Sequence, residues 1–232
     1  MFLTTKLISH RGIHDNKTIY ENTLEAFNLA KEKDYIIELD VRLTKDNKIV
    51  VFHDENTKRI TKIDRIVEKS TYQELNQQDI MHIPTLEEVL NLIDGKVPLL
   101  IEIKQFEKTG RLEKILMNEL QNYKGKFAVQ SFNPMVLLWF KKHYPCILRG
   151  QLSYQYKNKK ISPLKKSLLR NMLFNSITKP NFISYKYNEI SLEKIKKYQN
   201  KKVIVLGWTI NNQEDYNHYI KYFDNLICEK FI

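Results

Sequence analysis

Several residue types and patterns are scarce in this chain. Two of its 232 residues are cysteine, which excludes a disulfide scaffold and favours a reducing compartment. Six are glycine, so we expect no glycine-rich phosphate loop. The longest strictly apolar run, Met135–Phe140, has six residues, whereas a membrane-spanning helix needs roughly 20. Met1–His10 is interrupted by Lys6 and lacks the apolar stretch of a signal peptide, so we expect a cytoplasmic protein.

The composition is otherwise that of a globular protein, with 42% hydrophobic and 28% charged residues. A chain of 232 residues can bury a sizeable core, and no linker, repeat or low-complexity tract divides it. We therefore predict one domain over residues 1–232.

The net charge of +11 is unevenly distributed. Gln151–Lys202 contains 13 basic and two acidic residues, and the remainder of the chain is balanced. Such a segment favours polyanions, including anionic lipid or phosphorylated substrates, but a lysine-rich solvated surface would have the same composition. No recognition motif accompanies the charge, so we expect no nucleic-acid partner.

Eight short runs rich in β-branched and aromatic residues are predicted strands: Leu7–His10, Ile36–Val41, Leu99–Lys104, Phe127–Ser131, Ile147–Leu152, Phe182–Tyr185, Lys202–Thr209 and Asn225–Cys228. Apolar residues at helical spacing predict helices between them: Asn22–Lys33, Thr85–Ile93, Arg111–Tyr123, Pro134–His143, Pro163–Ser176, Ser191–Gln199 and Gln213–Phe223. This alternation predicts an α/β fold, either a (β/α)₈ TIM barrel or an open doubly wound sheet. No helix is predicted after the eighth strand.

One stretch interrupts the alternation. Lys48–Phe52 resembles an extra short strand paired with Ile36–Val41 through a turn at Asp46–Lys48. Glu55–Ile83 follows and is polar and irregular, which is typical of a functional or mobile segment. We predict a short insertion over residues 46–83, after the second strand.

Charged residues alternate on two predicted strands. Glu38 and Asp40 point to one face of the second strand, and Glu102 and Lys104 repeat the pattern on the next. Each pair lies at the C-terminal end of its strand, where parallel α/β folds place their chemistry. Three converging carboxylates favour a hard divalent cation, Mg²⁺ or Ca²⁺. The alternative is a buried ion-pair network with Arg42 and Lys104.

Two histidines also lie at strand ends. His10 ends the first strand and is followed by Arg11 and Gly12, and His53 follows the extra strand. Two imidazoles can divide general base and general acid catalysis near neutral pH. Arg11 offers a planar fork for phosphate oxygens, and Gly12 permits a sharp turn. Together with the carboxylates, these residues indicate metal-assisted phosphodiester chemistry.

These residues belong to longer motifs that extend over nearly the whole chain. The motifs are His10-Arg11-Gly12, Glu21-Asn22-Thr23, Ile37–Val41, Thr44-Lys45-Asp46, Val50–Asp54 with Arg59 and Thr61, Ile83–Leu90, Ile101–Lys104, Gln130–Asn133 and Trp208–Asn211. In this content and order the chain resembles the glycerophosphodiester phosphodiesterase family. The resemblance implies a (β/α)₈ barrel and hydrolysis of glycerophosphodiesters, such as glycerophosphocholine or glycerophosphoethanolamine, to glycerol 3-phosphate and an alcohol.

The resemblance also implies roles for individual residues. His10 and His53 would be the acid–base pair, Glu38, Asp40 and Glu102 the ligands of one divalent cation, and Arg11, Lys104 and Trp208 the groups that contact phosphate or substrate. Two other functions remain open. One is a lysophospholipase D-like or other lipid phosphodiesterase at a membrane surface, and the other is a non-catalytic barrel used as a binding or regulatory module.

The chain departs from the family pattern at its end. The last strand ends in Cys228-Glu229-Lys230, where the family has Thr-Asp followed by proline, and the family's final helix is missing. We expect the missing helix to leave apolar surface on the eighth strand for a second copy or a membrane, and we favour a homodimer.

Leu164–Ile177 allows two interpretations. Leu164, Leu168, Leu169, Met172, Leu173 and Ile177 form an apolar stripe beside Lys165, Lys166 and Arg170. The stripe fits an interfacial helix on a membrane, but an ordinary barrel helix would show the same spacing, and we favour that interpretation.

Overall fold

A computed structural model describes residues 1–104 and 109–230 of the chain. It contains nine strands: β1 (Ile8–His10), β2 (Ile36–Leu43), β3 (Ile49–Val51), β4 (Leu99–Ile103), β5 (Phe127–Ser131), β6 (Arg149–Ser153), β7 (Phe182–Lys186), β8 (Ile204–Ile210) and β9 (Asn225–Cys228). Eight of these strands are parallel and follow one another in sequence order around the sheet. β1 pairs with both β9 and β2, so the sheet closes on itself. The predicted TIM barrel is confirmed, and the open sheet is excluded.

Helices connect the strands on the outside. They are α1 (Leu24–Glu32), α2 (Lys58–Thr61), α3 (Tyr72–Leu75), α4 (Leu86–Ile93), α5 (Arg111–Leu120), α6 (Pro134–His143), α7 (Pro163–Arg170), α8 (Asn175–Thr178), α9 (Leu192–Gln199) and α10 (Gln213–Tyr219). Their starts follow local chemistry. Thr85 and Glu88 form a capping box on α4, and Pro134 occupies the first turn of α6. None of the described helices is long and apolar enough to cross a membrane.

Apolar side chains pack in two places: between the strands and the outer helices, and inside the barrel at its N-terminal end. Ile37, Leu39 and Val41 of β2 point outward into a core shared with the helices. Ile36, on the opposite face of β2, joins an interior cluster with Leu3 at the N-terminal end of the barrel. Because side chains alternate along a strand, Glu38 and Asp40 share the interior face with Ile36 and lie further up the barrel.

The insertion after β2 has more structure than the sequence indicated. β3 is antiparallel to β2, with Val51 opposite Val41, as the extra strand was predicted to be. Short helices α2 and α3 follow. Seven buried apolar side chains form a separate core beneath them: Val50, Phe52, Ile60, Val67, Leu75, Met81 and Ile83. The apolar residues are widely spaced in the sequence, so their helical or strand periodicity is too weak to reveal this core.

The predicted helix over 163–176 is wrong in its second half. α7 ends at Arg170, and Met172 adopts a left-handed backbone conformation (φ 51°) that redirects the chain before α8. Met172 is buried, whereas α7 itself has no buried residue. The apolar stripe is therefore divided between inward and outward side chains, and the prediction of an ordinary packed barrel helix is also wrong.

Glu229 and Lys230 follow β9 in the described chain. The expected bare apolar surface is absent, however, because Leu226, Ile227 and Cys228 are all buried. Leu226 and Cys228 pack in one cluster with Phe223 and the aromatic side chains of α10. This packing removes the basis on which a homodimer was predicted.

Candidate active site

A cleft of about 660 Å³ opens at the C-terminal ends of the barrel strands. Seven of the eight residues that the sequence predicted for the site line this cleft: His10, Arg11, Glu38, His53, Glu102, Lys104 and Trp208. The eighth, Asp40, lies directly behind, with its carboxylate beside those of Glu38 and Glu102. Residues that are up to 198 positions apart in the chain are therefore brought together by the strand order.

The end of β1 is shaped by a tight turn. Arg11 and Gly12 have φ values of 58° and 81°, and the Arg11 amide donates to the Glu38 carbonyl oxygen at 2.9 Å. A Cβ atom on Gly12 would lie 2.7 Å from the carbonyl carbon of Ala26. Glycine is thus required by both the backbone conformation and the close approach of α1, and the turn holds Arg11 at the cleft.

The three carboxylates meet because of strand register. Asp40 on β2 is level with Glu102 on β4, and Glu38 lies two residues below Asp40 on the same face. One oxygen from each lies within 4.8 Å of the others, and all three residues are buried. This convergence is the arrangement that a metal site requires.

Two cations partly neutralise the cluster. Lys104 Nζ lies 3.0 Å from Asp40 Oδ1 and 2.5 Å from Glu102 Oε1, and Arg11 Nε lies 3.1 Å from Asp40 Oδ2. Although burial opposes it, Lys104 and Arg11 hold the pKa of Asp40 well below its usual range. An ion-pair network exists, but its second cation is Arg11. Arg42, predicted for that place, instead donates from Nε to the His53 carbonyl oxygen at 3.0 Å.

Glu38 lacks a cation of its own among the described residues. Its carboxylate accepts only from neutral donors, the Arg11 amide at 3.2 Å and Gln130 Nε2 at 3.4 Å. Burial, together with the charges of Asp40 and Glu102, raises the pKa of Glu38 well above its usual value. Three carboxylates balanced by two cations leave negative charge in a low-dielectric site. The oxygen donors and the residual charge fit a hard divalent cation.

His10 is held by a carboxylate from the other end of the chain. Its Nδ1 lies 2.7 Å from Glu229 Oε2, and both side chains are largely buried. Although burial opposes it, His10 lowers the pKa of Glu229, so this carboxylate is ionised at neutral pH and can only accept. Nδ1 must therefore carry the proton, and Nε2 keeps a lone pair. Burial and the Arg11 charge lower the pKa of His10 to about 4.

His53 has a similar support. Its Nδ1 lies 2.6 Å from Asp54 Oδ1, and Arg59 Nε donates to Asp54 Oδ2 at 2.6 Å. Arg59 also donates to Glu21, which in turn accepts from Arg11 Nη1 at 2.7 Å. A continuous line of ion pairs therefore joins the insertion, through α2, to the end of β1.

Sequence reasoning assigned no role to Glu229, Glu21 or Arg59. Glu21 and Arg59 were noted only as motif residues, and Glu229 only as a departure from the family pattern. A carboxylate just after the last strand was the available signal, because barrel closure places that position beside the end of β1.

The wall opposite the carboxylates is aromatic. The rings of Phe132 and Trp208 lie edge to face at 5.7 Å, and Tyr154 lies 5.7 Å from Phe132 and 6.3 Å from Trp208. Trp208 Nε1 is buried and has no hydrogen-bond partner in the described part of the chain. An indole N–H of this kind is a donor available to a bound ligand.

Comparison with known proteins bears directly on this geometry. The model of the glycerophosphoryl diester phosphodiesterase family matches residues 10–229, from the first catalytic candidate to its carboxylate partner. The chain belongs to this family. It is an enzyme, a phosphoric diester hydrolase with glycerophosphodiester phosphodiesterase activity.

Relatives support the assignment over almost the full length. A glycerophosphodiester phosphodiesterase from Caldanaerobacter subterraneus is 31% identical over 240 residues, which cover 94% of this chain and 91% of the relative. The glycerophosphodiester phosphodiesterase of Thermotoga maritima superposes with a TM-score of 0.75 at 26% identity, covering 96% of this chain and 93% of that one. An Oleispira antarctica phosphodiesterase, solved with its product sn-glycerol-3-phosphate, shares the fold with a TM-score of 0.80 at 23% identity, covering 96% and 92%.

Proposed function

We propose that the enzyme hydrolyses glycerophosphodiesters to glycerol 3-phosphate and an alcohol, with one divalent cation and with His10 and His53 as base and acid. The observation that carries this proposal is that two histidines, each bonded through Nδ1 to its own carboxylate, face one cleft with the buried acidic cluster. The product in the Oleispira antarctica structure is the product expected here.

Glu38, Asp40 and Glu102 would hold the cation. When bound, it supplies electrophilic stabilisation of charge on the phosphate oxygens and lowers the pKa of a coordinated hydroxyl. Lys104 contributes a further positive charge at the same place. Arg11, fixed between Glu21 and Asp40, positions the phosphate at the end of β1.

The two histidines differ in environment. Burial and the neighbouring charge of Arg11 lower the pKa of His10 to about 4, so the His10 imidazole is neutral near pH 7. Its Nε2 can then accept a proton from the attacking hydroxyl, either of water or of the glycerol next to the phosphate. His53 is more exposed at the rim and would protonate the departing alcohol. If the glycerol hydroxyl attacks, a cyclic phosphate forms first and water opens it in a second step.

A coupled assay for glycerol 3-phosphate tests the reaction. The purified enzyme should release it from glycerophosphocholine or glycerophosphoethanolamine in the presence of Mg²⁺ or Ca²⁺, in equal amount to the alcohol, and extended dialysis against chelator should abolish release. If metal-loaded enzyme releases no glycerol 3-phosphate from any of several glycerophosphodiesters, the proposal is wrong.

Glu229 should act as a positioning residue for His10. Replacing Glu229 with alanine removes the carboxylate that accepts the hydrogen bond from His10 Nδ1. We expect kcat to fall by roughly 10- to 100-fold, which is less than the whole rate enhancement usual for general acid–base catalysis. Glu229→Gln keeps an acceptor but removes the charge that raises the pKa of His10, so the acid limb of the pH–rate profile should move to lower pH.

Glu229→Asp serves as the conservative control and should recover part of kcat. KM should change little in all three variants, because Glu229 is a partner of His10 and does not line the cleft. A purely structural role would lower kcat without moving the acid limb, and that outcome would contradict the assignment.

A further inference from the structure

The segment 157–179, between β6 and β7, concentrates positive charge at the rim of the cleft. It contains seven basic residues and no acidic one: Lys157, Lys159, Lys160, Lys165, Lys166, Arg170 and Lys179. Six of the seven are exposed, and none forms a salt bridge with a described residue. The positive charge is therefore uncompensated within the segment itself.

The same segment exposes its largest apolar side chains. Leu164, Leu173 and Ile177 are 72%, 55% and 54% exposed, the highest values among the large hydrophobic residues of the described chain. All three lie within 14 positions. Scattered single exposures are ordinary on a protein surface, but three within one basic segment are not.

This segment also forms part of the cleft. Ile161, Lys165 and Leu169 line it, and they continue the wall that begins with Tyr154 and Tyr156. α7 thus borders the catalytic cleft with some side chains and exposes Leu164 away from it. Whatever binds the exposed face is brought to the mouth of the cleft.

An anionic lipid surface fits both properties of the segment. Leucine and isoleucine side chains can enter the boundary between headgroups and acyl chains, while lysines extend to the phosphates. Polybasic segments are attracted by anionic headgroups. A symmetric contact with a second copy would bring two uncompensated basic segments together, which is unfavourable, and a nucleic acid would leave the apolar side chains unexplained.

We propose that residues 157–179 dock the enzyme on an anionic lipid surface, with the cleft opening toward lipid phosphodiesters there. The orientation rests on the proposed function, because it takes the cleft as the catalytic site. The docking itself depends only on the exposed apolar and basic side chains.

Vesicle flotation tests the docking, with chelator present so that no lipid is hydrolysed. The enzyme should float with phosphatidylcholine vesicles that contain phosphatidylglycerol, but not with phosphatidylcholine alone, and rising salt should release it. We expect the double variants Leu164→Ser/Leu173→Ser and Lys157→Glu/Lys160→Glu each to weaken partitioning by about tenfold or more.

Two variants outside the segment are matched controls. Lys124→Glu/Lys126→Glu makes the same charge change before β5, at the N-terminal end of the barrel, and Leu192→Ser removes an exposed leucine from α9. Both should float like the unaltered enzyme. Equal weakening by the lysine controls would mean that net charge alone drives binding, which would overturn the proposal.

Other outcomes also decide the matter. Absence of flotation with anionic vesicles, or flotation unchanged in Leu164→Ser/Leu173→Ser, would overturn the docking. So would a salt-resistant dimer, seen without lipid and lost in that variant, because the face would then join two copies. Release of glycerol 3-phosphate from a water-soluble glycerophosphodiester should be unchanged in Leu164→Ser/Leu173→Ser. Flotation without any such activity would count against the proposed function alone.

Discussion

Glycerol 3-phosphate release should fall by about 10²- to 10³-fold in the Asp40→Asn variant, because metal catalysis is worth several kcal/mol and about 1.4 kcal/mol corresponds to tenfold in rate. Of the three carboxylates, Asp40 has the most ion-pair and hydrogen-bond partners, namely Arg11, Lys104 and Asn22. Its neutral isostere keeps the volume of the side chain but removes one ligand charge. High metal concentration should restore part of the lost activity.

Asp94→Asn is the control for this variant. Asp94 is an exposed carboxylate at the end of α4, with a left-handed backbone that asparagine also accepts. It should retain the activity of the unaltered enzyme. Full activity of Asp40→Asn at low metal, or of the unaltered enzyme in excess chelator after extended dialysis, would exclude a metal at Glu38, Asp40 and Glu102.

Replacing either histidine of the pair with alanine should lower kcat by roughly 10²- to 10⁴-fold, the range of general acid–base catalysis. KM should change much less, because in the proposed mechanism Arg11 and the cation hold the phosphate. The unaltered enzyme should have a bell-shaped pH–rate profile. The base must be neutral and the acid protonated, so activity should fall at both ends of the pH range. At the acid end it falls because His10 becomes protonated.

The acid limb of the profile separates the two roles. His53→Ala should lower kcat and keep the acid limb, which follows His10, whose pKa is lowered by burial and Arg11. His143→Ala, at an exposed histidine on α6, is the control and should leave the profile unchanged. Near-normal turnover in His10→Ala or His53→Ala would show that the histidine in question has another role.

Strands were predictable from the sequence wherever apolar residues are continuous. The bounds of β5 and β9 match the structure residue for residue. Lys126 precedes β5, and Asp224 and Glu229 flank β9, so the change from charged to apolar residues marks these strand ends. α7 shows the limit of periodicity. The helical spacing of Leu164, Leu168 and Leu169 continues past Arg170, but the helix does not, because Met172 adopts a left-handed backbone conformation. A single left-handed residue does not alter the hydrophobic pattern, so the pattern could not reveal where the helix ends.

Individual site residues were also predictable where strand alternation applies, as for Glu38 and Asp40. The residues that support these side chains through tertiary contacts could not be predicted from the sequence. Glu229 meets His10, and Arg59 meets both Asp54 and Glu21, only after the barrel closes and the insertion packs on its rim. Likewise, Arg11 rather than Arg42 pairs with the carboxylate cluster because of the turn that follows β1.

The bond between His10 and Glu229 spans 219 residues of sequence. The same seam is joined by Asn225, whose side-chain amide donates to the carbonyl oxygens of Leu3 and Lys6, each at 2.7 Å. Contacts of such high sequence separation form late, because they require closure of the longest loop in the chain. During synthesis, the carboxylates of β2 and β4 leave the ribosome well before Glu229, which supports the proposed base His10. We therefore expect completion of the barrel and completion of the proposed site to be a single folding event, so that a partly folded chain that has already assembled its acidic cluster should not turn over substrate.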